Sequence, residues 1–587
     1  MFEKELALLS EKIEKILIEK DLPECEVRWS WIPFNGEWGI ATSFFQLAAK
    51  SFGSEKGNVG QRAAEIARNL ADMLTLPDGF SKIEAVNGYL NLYFSPSEYT
   101  QRIVDEVLRR EKEYGKSDPL GKKIMIEFSQ PNTHKAFHVG HLRSAFLGDV
   151  LARITSAAGY EVVRANYPGD MGLHVIKWLW NYLKFHNGEK PEKDITRWMG
   201  EMYAEANRRL EEDPDLESEV RAIYTRWDQK DPEVVDCWKE TREWSLTGFR
   251  EMYEKLDIKF DVYYFNSMFE EPGKEIVADL IKRGIAEDER ASGGAVIVKL
   301  DEKLGLTQEK YRVIVVQRSD GTALYATEDL ALARQKFLDY PDLDKSYYVV
   351  DVRQSLHFLQ VFKTLEIAGY DWATKCQHVS YELVNLPGNV VMASREGTVV
   401  LLEDLLREAT SRALEVVREK NPDLSEENKL KIAEAVGIGA IKFPMFSRES
   451  GKIVTFDWES ALDFNGQAAP YIQYAYVRAN SILKKYNAPL PASLAPGEGL
   501  TPSEIALIDL IGRMPIEIQK AAKELKPLTV CNLSYDLAKA FNDFYVQCPV
   551  LNADEPVKST RLRLVAAAKQ AIENSLALLG ITAPQAM

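Results

Sequence analysis

The sequence predicts an α/β protein built on a doubly wound parallel sheet, with a small α/β unit ahead of it and an all-helical region behind. Three observations carry this. KKIMIEFSQ is a short apolar run bounded by turn residues that opens into a helical stretch, and EVVRANYPGDMG repeats the strand-then-glycine-turn pattern. Further apolar runs, GGAVIVKL, YRVIVVQRSDG and SYYVVDVRQ, resume the strands after a helical insertion at about 187–285. Beyond residue 461 the apolar spacing is helical throughout.

In order along the chain, residues 1–115 read as the first unit. An amphipathic helix (Leu6, Leu9, Ile13, Ile16, Leu17) precedes the turn-rich WIPFNGEWGIATS, then helical QRAAEIARNLADML, then the alternating IEAVNGYLNLYF, which fits strands. Residues 116–460 form the sheet domain. Within it Leu142, Phe146, Val150 and Ile154 recur every fourth residue, so LRSAFLGDVLARITSAAGY is a helix with one buried face. The six tryptophans between Trp178 and Trp244 read as core packing of the insertion. Residues 461–587 form the helical third domain, interrupted by the loop YNAPLPASLAPGEGLTPSE.

A chain of 587 residues is too long for one core, and 45% hydrophobic content argues against disorder. No apolar run approaches the roughly 20 residues of a membrane span. Charges at Glu3, Lys4 and Glu5 are unlike a signal peptide, so a cytoplasmic location is expected. Five scattered cysteines offer neither a disulfide framework nor a zinc knuckle. A net charge of −16 argues against nonspecific nucleic-acid coating, yet from Ala461 onward 12 Lys/Arg face 11 Asp/Glu, so the acidic excess lies in the earlier residues.

The strongest chemical signal is His138-Val139-Gly140-His141 between a strand and the first turn of a helix. Glycine there admits close approach of a base, free N–H groups face phosphate oxygens, and two imidazoles three positions apart can donate to a phosphate as its charge redistributes. Glu127, Asn132 and Lys135 lie just upstream at the same sheet edge, where ligands of open α/β sheets bind. Tyr325 and Asp329, four apart near a helix start, suit a guanidinium. Gln354 and His357 stand at another strand end, and MASREGTVV is a polar glycine-bearing loop able to close over phosphates.

With these residues in hand the chain resembles the class I aminoacyl-tRNA synthetases, and among them the arginyl-tRNA synthetase family. FSQPNTHKAFHVGHLRSAFLGD is similar to its extended signature, NYPGDMG to its NYxGDWG element and SDGTALYATEDLA to its SDGTxxYxTxDxA segment. FNGQAAPYIQYAYVRANSIL, SYDLAKAFNDFYVQCPVL and LALLGITAPQAM look like its anticodon-binding domain, and FNGEWGIATS with NGYLNLYF like its extra N-terminal domain.

The resemblance implies a Rossmann-type, HUP-like catalytic domain, a DALR-type anticodon-binding bundle, and ATP-dependent ligation of L-arginine to its cognate tRNA. Arginyl-adenylate forms first, the 2′-hydroxyl of the terminal adenosine then takes the arginyl group, and tRNA is required for activation. Carried over by position, Glu127, Asn132, Tyr325, Asp329 and Gln354 are expected to bind arginine. Ser129, His138, Gly140, His141, Gly169, Asp170 and Met392 are expected to hold ATP, with Pro131 and Val139 as motif residues. Lys135 and Arg395 join His138 and His141 in the chemistry. ATP arrives with Mg²⁺, no protein-held metal is expected, and the family favours a monomer.

There are departures from the family pattern. Glu396 stands where the second signature often has lysine, Met171 where tryptophan is usual, Ala136 where proline is common, and Gln130 is unusual. The missing loop lysine assigns its phosphate role to Lys135. Two other readings compete: a synthetase-like protein that binds tRNA or amino acid with little catalysis, and a HIGH-type nucleotidyltransferase making a small cofactor.

Overall fold

The computed structural model describes residues 3–52, 57–137, 139–386, 390–391, 401–492 and 499–587. The chain forms two compact units. One comprises Met1–Gly115, Ala475–Pro515 and Asp536–Asn574; the other comprises Lys116–Tyr474, Ile516–Tyr535 and Ser575–Met587.

The second unit is organised by a five-stranded sheet of β1 (Lys123–Glu127), β2 (Glu161–Asn166), β3 (Val262–Tyr263), β4 (Leu343–Asp351) and β5 (Cys376–Tyr381). Its order is β5-β4-β1-β2-β3 and every pairing is parallel. The chain steps outward from β1 to β3, then crosses back to β4 on the other side of β1. The gap beyond β1 and β4 is therefore a topological switch point, where open α/β sheets form crevices. Ile124, Met125 and Ile126 of β1 are buried, as expected of a central parallel strand covered on both faces.

The helix Val139–Ala157 follows β1, and Leu142, Phe146, Val150 and Ile154 are all buried, as their spacing predicts. Gly148 explains how closely it seats: a Cβ there would lie 2.1 Å from the Phe128 ring at the end of β1. Any side chain would push the helix off the strand and shift its N-terminal turn.

Two predicted strands do not join the parallel sheet. Val296–Lys299 pairs antiparallel with both Glu287–Asp288 and Val313–Gln317 in a separate three-stranded sheet. The reason lies in the alternation: Ile314 and Val316 are buried, whereas Val313 and Val315 are exposed, a one-faced pattern that a doubly covered sheet does not produce. The insertion carries helices Ile195–Glu212, Glu217–Asp228 and Pro232–Lys255 and then returns to the central sheet as β3. Its tryptophans pack on one another, with Trp227 and Trp238 4.9 Å apart and Trp178 and Trp198 5.9 Å apart between ring centroids. A third small sheet pairs Val384–Leu386 antiparallel with Val390–Val391 and parallel with Val454–Thr455.

The other unit holds a four-stranded antiparallel sheet, in spatial order Ser30–Trp31, Gly39–Ser43, Tyr89–Phe94 and Phe80–Val86. Its N-terminal segment and later helices share this unit directly. Tyr114 Oη donates to Ile511 O at 2.8 Å, Asn574 Nδ2 to Glu111 O at 2.8 Å, and Trp38 Nε1 to Asp509 Oδ1 at 3.2 Å.

Candidate active site

A cavity of about 630 Å³ opens at the C-terminal ends of β1 and β4. Its wall includes Glu127, Ser129, Gln130 and Asn132 after β1, Gly140, His141 and Arg143 from the helix start, and Tyr167 and Gly169 after β2. Asn266, Tyr325, Asp329, Asp351, Gln354 and Tyr381–Val384 complete it.

The segment after β1 has an unusual backbone. Ser129, Gln130 and His134 adopt φ of 78°, 43° and 59°, left-handed values that cost non-glycine residues roughly 1–2 kcal/mol each. Side chains hold them there. Ser129 N donates to Ser144 Oγ (3.0 Å), Gln130 N to Asn166 Oδ1 (3.2 Å), and His134 is sealed between Thr133 and Thr241 hydroxyls at 2.9 and 2.8 Å. His134 is thus a structural core residue, held neutral by burial.

One end of the cavity is acidic. Asp329 Oδ2 accepts from His357 Nε2 at 2.6 Å, and Tyr325, 76% exposed, stands at the rim one helical turn earlier. Glu127 is buried and bonded on both oxygens: Gln130 Nε2 donates to Oε1 at 3.0 Å, and the fully buried Lys336 forms an ion pair with Oε2. Lys336 also lies 3.6 Å over the Tyr348 ring. Beside Asp329, burial pushes the Glu328 carboxyl up to about 7; the charges of Asp329, Glu270 and Asp170 add to this, while a hydrogen bond from Asn266 opposes it. Asn266 Nδ2 spans Tyr167 Oη (2.9 Å) and Glu328 Oε2 (2.5 Å). Burial, reinforced by Asp329 and Glu328, raises Tyr167, which remains a neutral phenol.

The other end is the start of helix Val139–Ala157, with Gly140 and His141 in the wall and the His141 ring 5.2 Å from Phe137. Gly169 meets Asn132 in an isolated parallel bridge extending β1 and β2. A Cβ at Gly169 would sit 2.4 Å from Asn132 Oδ1, so a side chain there would displace the Asn132 amide.

The cavity thus gathers Glu127, Ser129, Asn132, Gly140, His141, Gly169, Tyr325, Asp329 and Gln354 from the sequence-derived set. Three others are elsewhere. Asp170 is fully buried, accepting from Ser267 N (3.0 Å), Ser267 Oγ (2.7 Å) and Arg242 (3.1 Å). Lys135 Nζ lies 5.0 Å over the Tyr203 ring of the insertion. Pro131 is buried, its carbonyl accepting from Gly169 N at 3.0 Å. His138, Met392 and Arg395 lie outside the described residues, as does the side chain of Val139. Arg143, Tyr167, Asn266, Lys336 and the Tyr381–Val384 wall were not singled out from the sequence. Arg143 and Tyr167 stand within quoted motifs, and Lys336 lies two turns beyond Asp329 on the same helix; Asn266 and the Tyr381–Val384 wall come from distant segments.

Among the described residues no group of three or more His, Cys, Asp or Glu side chains is placed to hold a metal ion. Four carboxylates in or beside the site are engaged with cations: Glu127 with Lys336, Asp329 with His357, Asp351 with Arg353 and Asp170 with Arg242. Among those residues no helix is long and apolar enough to cross a membrane.

Comparison with known proteins agrees with this geometry. Residues 103–458 match the family described as tRNA synthetases class I (R), catalytic domain, and residues 472–587 match the DALR anticodon binding domain. A Bdellovibrio bacteriovorus protein named arginine–tRNA ligase is 38% identical over 516 residues, covering 86% of each chain. A Clostridium botulinum protein of the same name is 34% identical over 586 residues, covering 99% of each. The solved structure of Thermus thermophilus arginyl-tRNA synthetase superposes with a TM-score of 0.76 at 27% identity, covering 99% of this chain and 100% of that one. On the full-length match, the parallel sheet with its switch-point cavity and the helical region that ends the chain, this protein belongs to the class I arginyl-tRNA synthetase family.

Proposed function

We propose that the chain attaches L-arginine to its cognate tRNA at the expense of ATP. The arginine carboxylate attacks the α-phosphate, arginyl-adenylate and pyrophosphate form, and the 2′-hydroxyl of the terminal adenosine then takes the arginyl group, with tRNA bound before activation. The observation that carries this reading is one cavity with two chemically distinct ends, an acidic one around Asp329 and a helix start with Gly140 and His141. A guanidinium is a rigid, permanently charged fork suited to fixed carboxylates, and a helix N-terminus suits phosphate.

In this reading Asp329 and Tyr325 receive the guanidinium directly. Glu127 contributes shape and acceptors more than net charge, because Lys336 already neutralises it. Asn132 and Gln354 meet the amino-acid end. Ser129, His138, Gly140, His141, Gly169 and Met392 hold ATP, and Asp170 acts from behind by fixing the strand end that carries Gly169. Lys135, with Arg395, meets the β- and γ-phosphates. Its contact with Tyr203 is no obstacle, since a single cation–π contact at a half-buried site is worth only about 0.5–2 kcal/mol. Mg²⁺ travels with the ATP phosphates.

Residues 1–115 contact the tRNA elbow and residues 461–587 the anticodon, so tRNA affinity should fall steeply with added salt. The enzyme acts as a cytoplasmic monomer. The deciding experiment is charging of tRNA with radiolabelled arginine in competition with lysine and citrulline. Arginine-specific, ATP-dependent charging is expected. Binding of arginine or tRNA without charging would return the non-catalytic alternative.

A further inference from the structure

Among the described residues two arginines line the cavity, and their surroundings differ. Arg353 is forked onto Asp351, Nε to Oδ1 at 2.8 Å and Nη2 to Oδ2 at 2.9 Å, so its charge is met. Arg143, just past His141 on the same helix start, has no such partner among the described residues. It is 1% exposed, and its Nη2 donates to the carbonyls of Ser450 and Lys452, each at 3.1 Å. Its Nε and Nη1 are buried without a hydrogen-bond partner among the described residues.

The two carbonyl bonds reach the opposite wall. Ser450 O also accepts from Glu382 N at 2.9 Å, and Val454 N donates to Leu383 O at 3.1 Å. Arg143 therefore ties the helix start to the Tyr381–Val384 wall. That tether uses one nitrogen and leaves two unspent. Burial, opposed by the negative influence of Tyr381 and Glu382, lowers the guanidinium to about 10, still charged at neutral pH. A buried cation with orphaned donors is costly unless a counter-charge arrives, and a low-dielectric wall strengthens its pull on an anion in the adjoining cavity.

We propose that Arg143 is the buried counter-charge for the phosphate chain of ATP, a positioning residue that fixes the Tyr381–Val384 wall and presents a permanent positive potential to the cavity. This rests on reading the cavity as the nucleotide site.

The test measures equilibrium binding of ATP and of adenosine to the full-length protein and to Arg143→Lys and Arg143→Gln, with thermal melting to confirm folding. Wild type should bind ATP more tightly than adenosine. Arg143→Lys, which keeps the charge, should hold ATP affinity within about threefold, whereas Arg143→Gln should lose about tenfold or more. Adenosine affinity, and the KM for arginine in tRNA-dependent ATP–pyrophosphate exchange, should change by less than about twofold in both variants. Retained ATP affinity in Arg143→Gln overturns the proposal, as does equal loss of ATP and adenosine, which would mark a tether only. Should Arg143→Gln fail to fold, Arg143→Lys decides: a tenfold loss of ATP affinity in the folded protein, or failure of this variant to fold as well, overturns it. A wild-type protein that binds neither nucleotide overturns the nucleotide reading and this proposal with it, whereas adenosine binding without a charge effect overturns this proposal alone.

Discussion

His357 and Asp329 meet at 2.6 Å across two helices, joining a residue that follows β4 to one on the helix that precedes it. The imidazole fixes one carboxylate oxygen, so the other is oriented before any ligand enters. Asp329→Ala should raise the KM for arginine roughly 100-fold, as expected when a charge-assisted contact is lost, while His357→Gln should cost roughly tenfold. Steady-state exchange kinetics at saturating ATP check both. Equal effects of the two variants on the KM for ATP would count against this placement.

Lys336 and Glu127 form a buried pair, so removing one partner strands the other. Lys336→Met should destabilise the protein by about 3–5 kcal/mol, and Lys336→Met with Glu127→Gln should recover much of that. Urea unfolding of the single and double variants measures the coupling. Additive losses would show that the pair contributes nothing as a pair.

Glu328 titrates at about 7 in the folded chain, above the ordinary value of 4.5. Below 7 it is a neutral acid, and above 7 it adds negative charge beside Asp329. Arginine affinity should therefore rise as pH increases through 7, and Glu328→Gln should flatten that profile. The stability sign is opposite. Between 4.5 and about 7 the folded state retains a proton that the unfolded chain has released, so this group's contribution to stability falls as pH rises across that window. Binding titrations and chemical denaturation from pH 5.5 to 8.5 address the two separately.

Lys135 is assigned to the β- and γ-phosphates although it rests over Tyr203. Lys135→Ala should lower tRNA-dependent ATP–pyrophosphate exchange by at least about tenfold, or roughly 1.4 kcal/mol of transition-state stabilisation. Tyr203→Ala should leave exchange within about twofold, because the resting contact is weak. An unchanged rate in Lys135→Ala would remove it from the mechanism.

Much of this protein is legible without coordinates because its signals are local. The fourfold spacing of Leu142, Phe146, Val150 and Ile154 can bury a single face only as a helix. The apolar run Ile124–Ile126 bounded by turn residues reads as a buried parallel strand. Tyr325 with Asp329, and Gly140 with His141, stand within a few residues of one another, so their juxtaposition follows from backbone geometry alone. The strand period of 313–317 was equally legible, but not the sheet it would join, since the choice of partner strand depends on which faces other elements cover.

Tertiary structure decided what depends on residues far apart in the chain. It sets the charge of Glu127 against Lys336, 209 positions away, turns Asp170 inward to Ser267 and Arg242, and leaves two nitrogens of Arg143 without a partner among the described residues. The physical reason is that a side chain's type and spacing define which contacts are available locally, whereas its net charge, protonation and freedom to meet a ligand are set by whatever the fold brings against it.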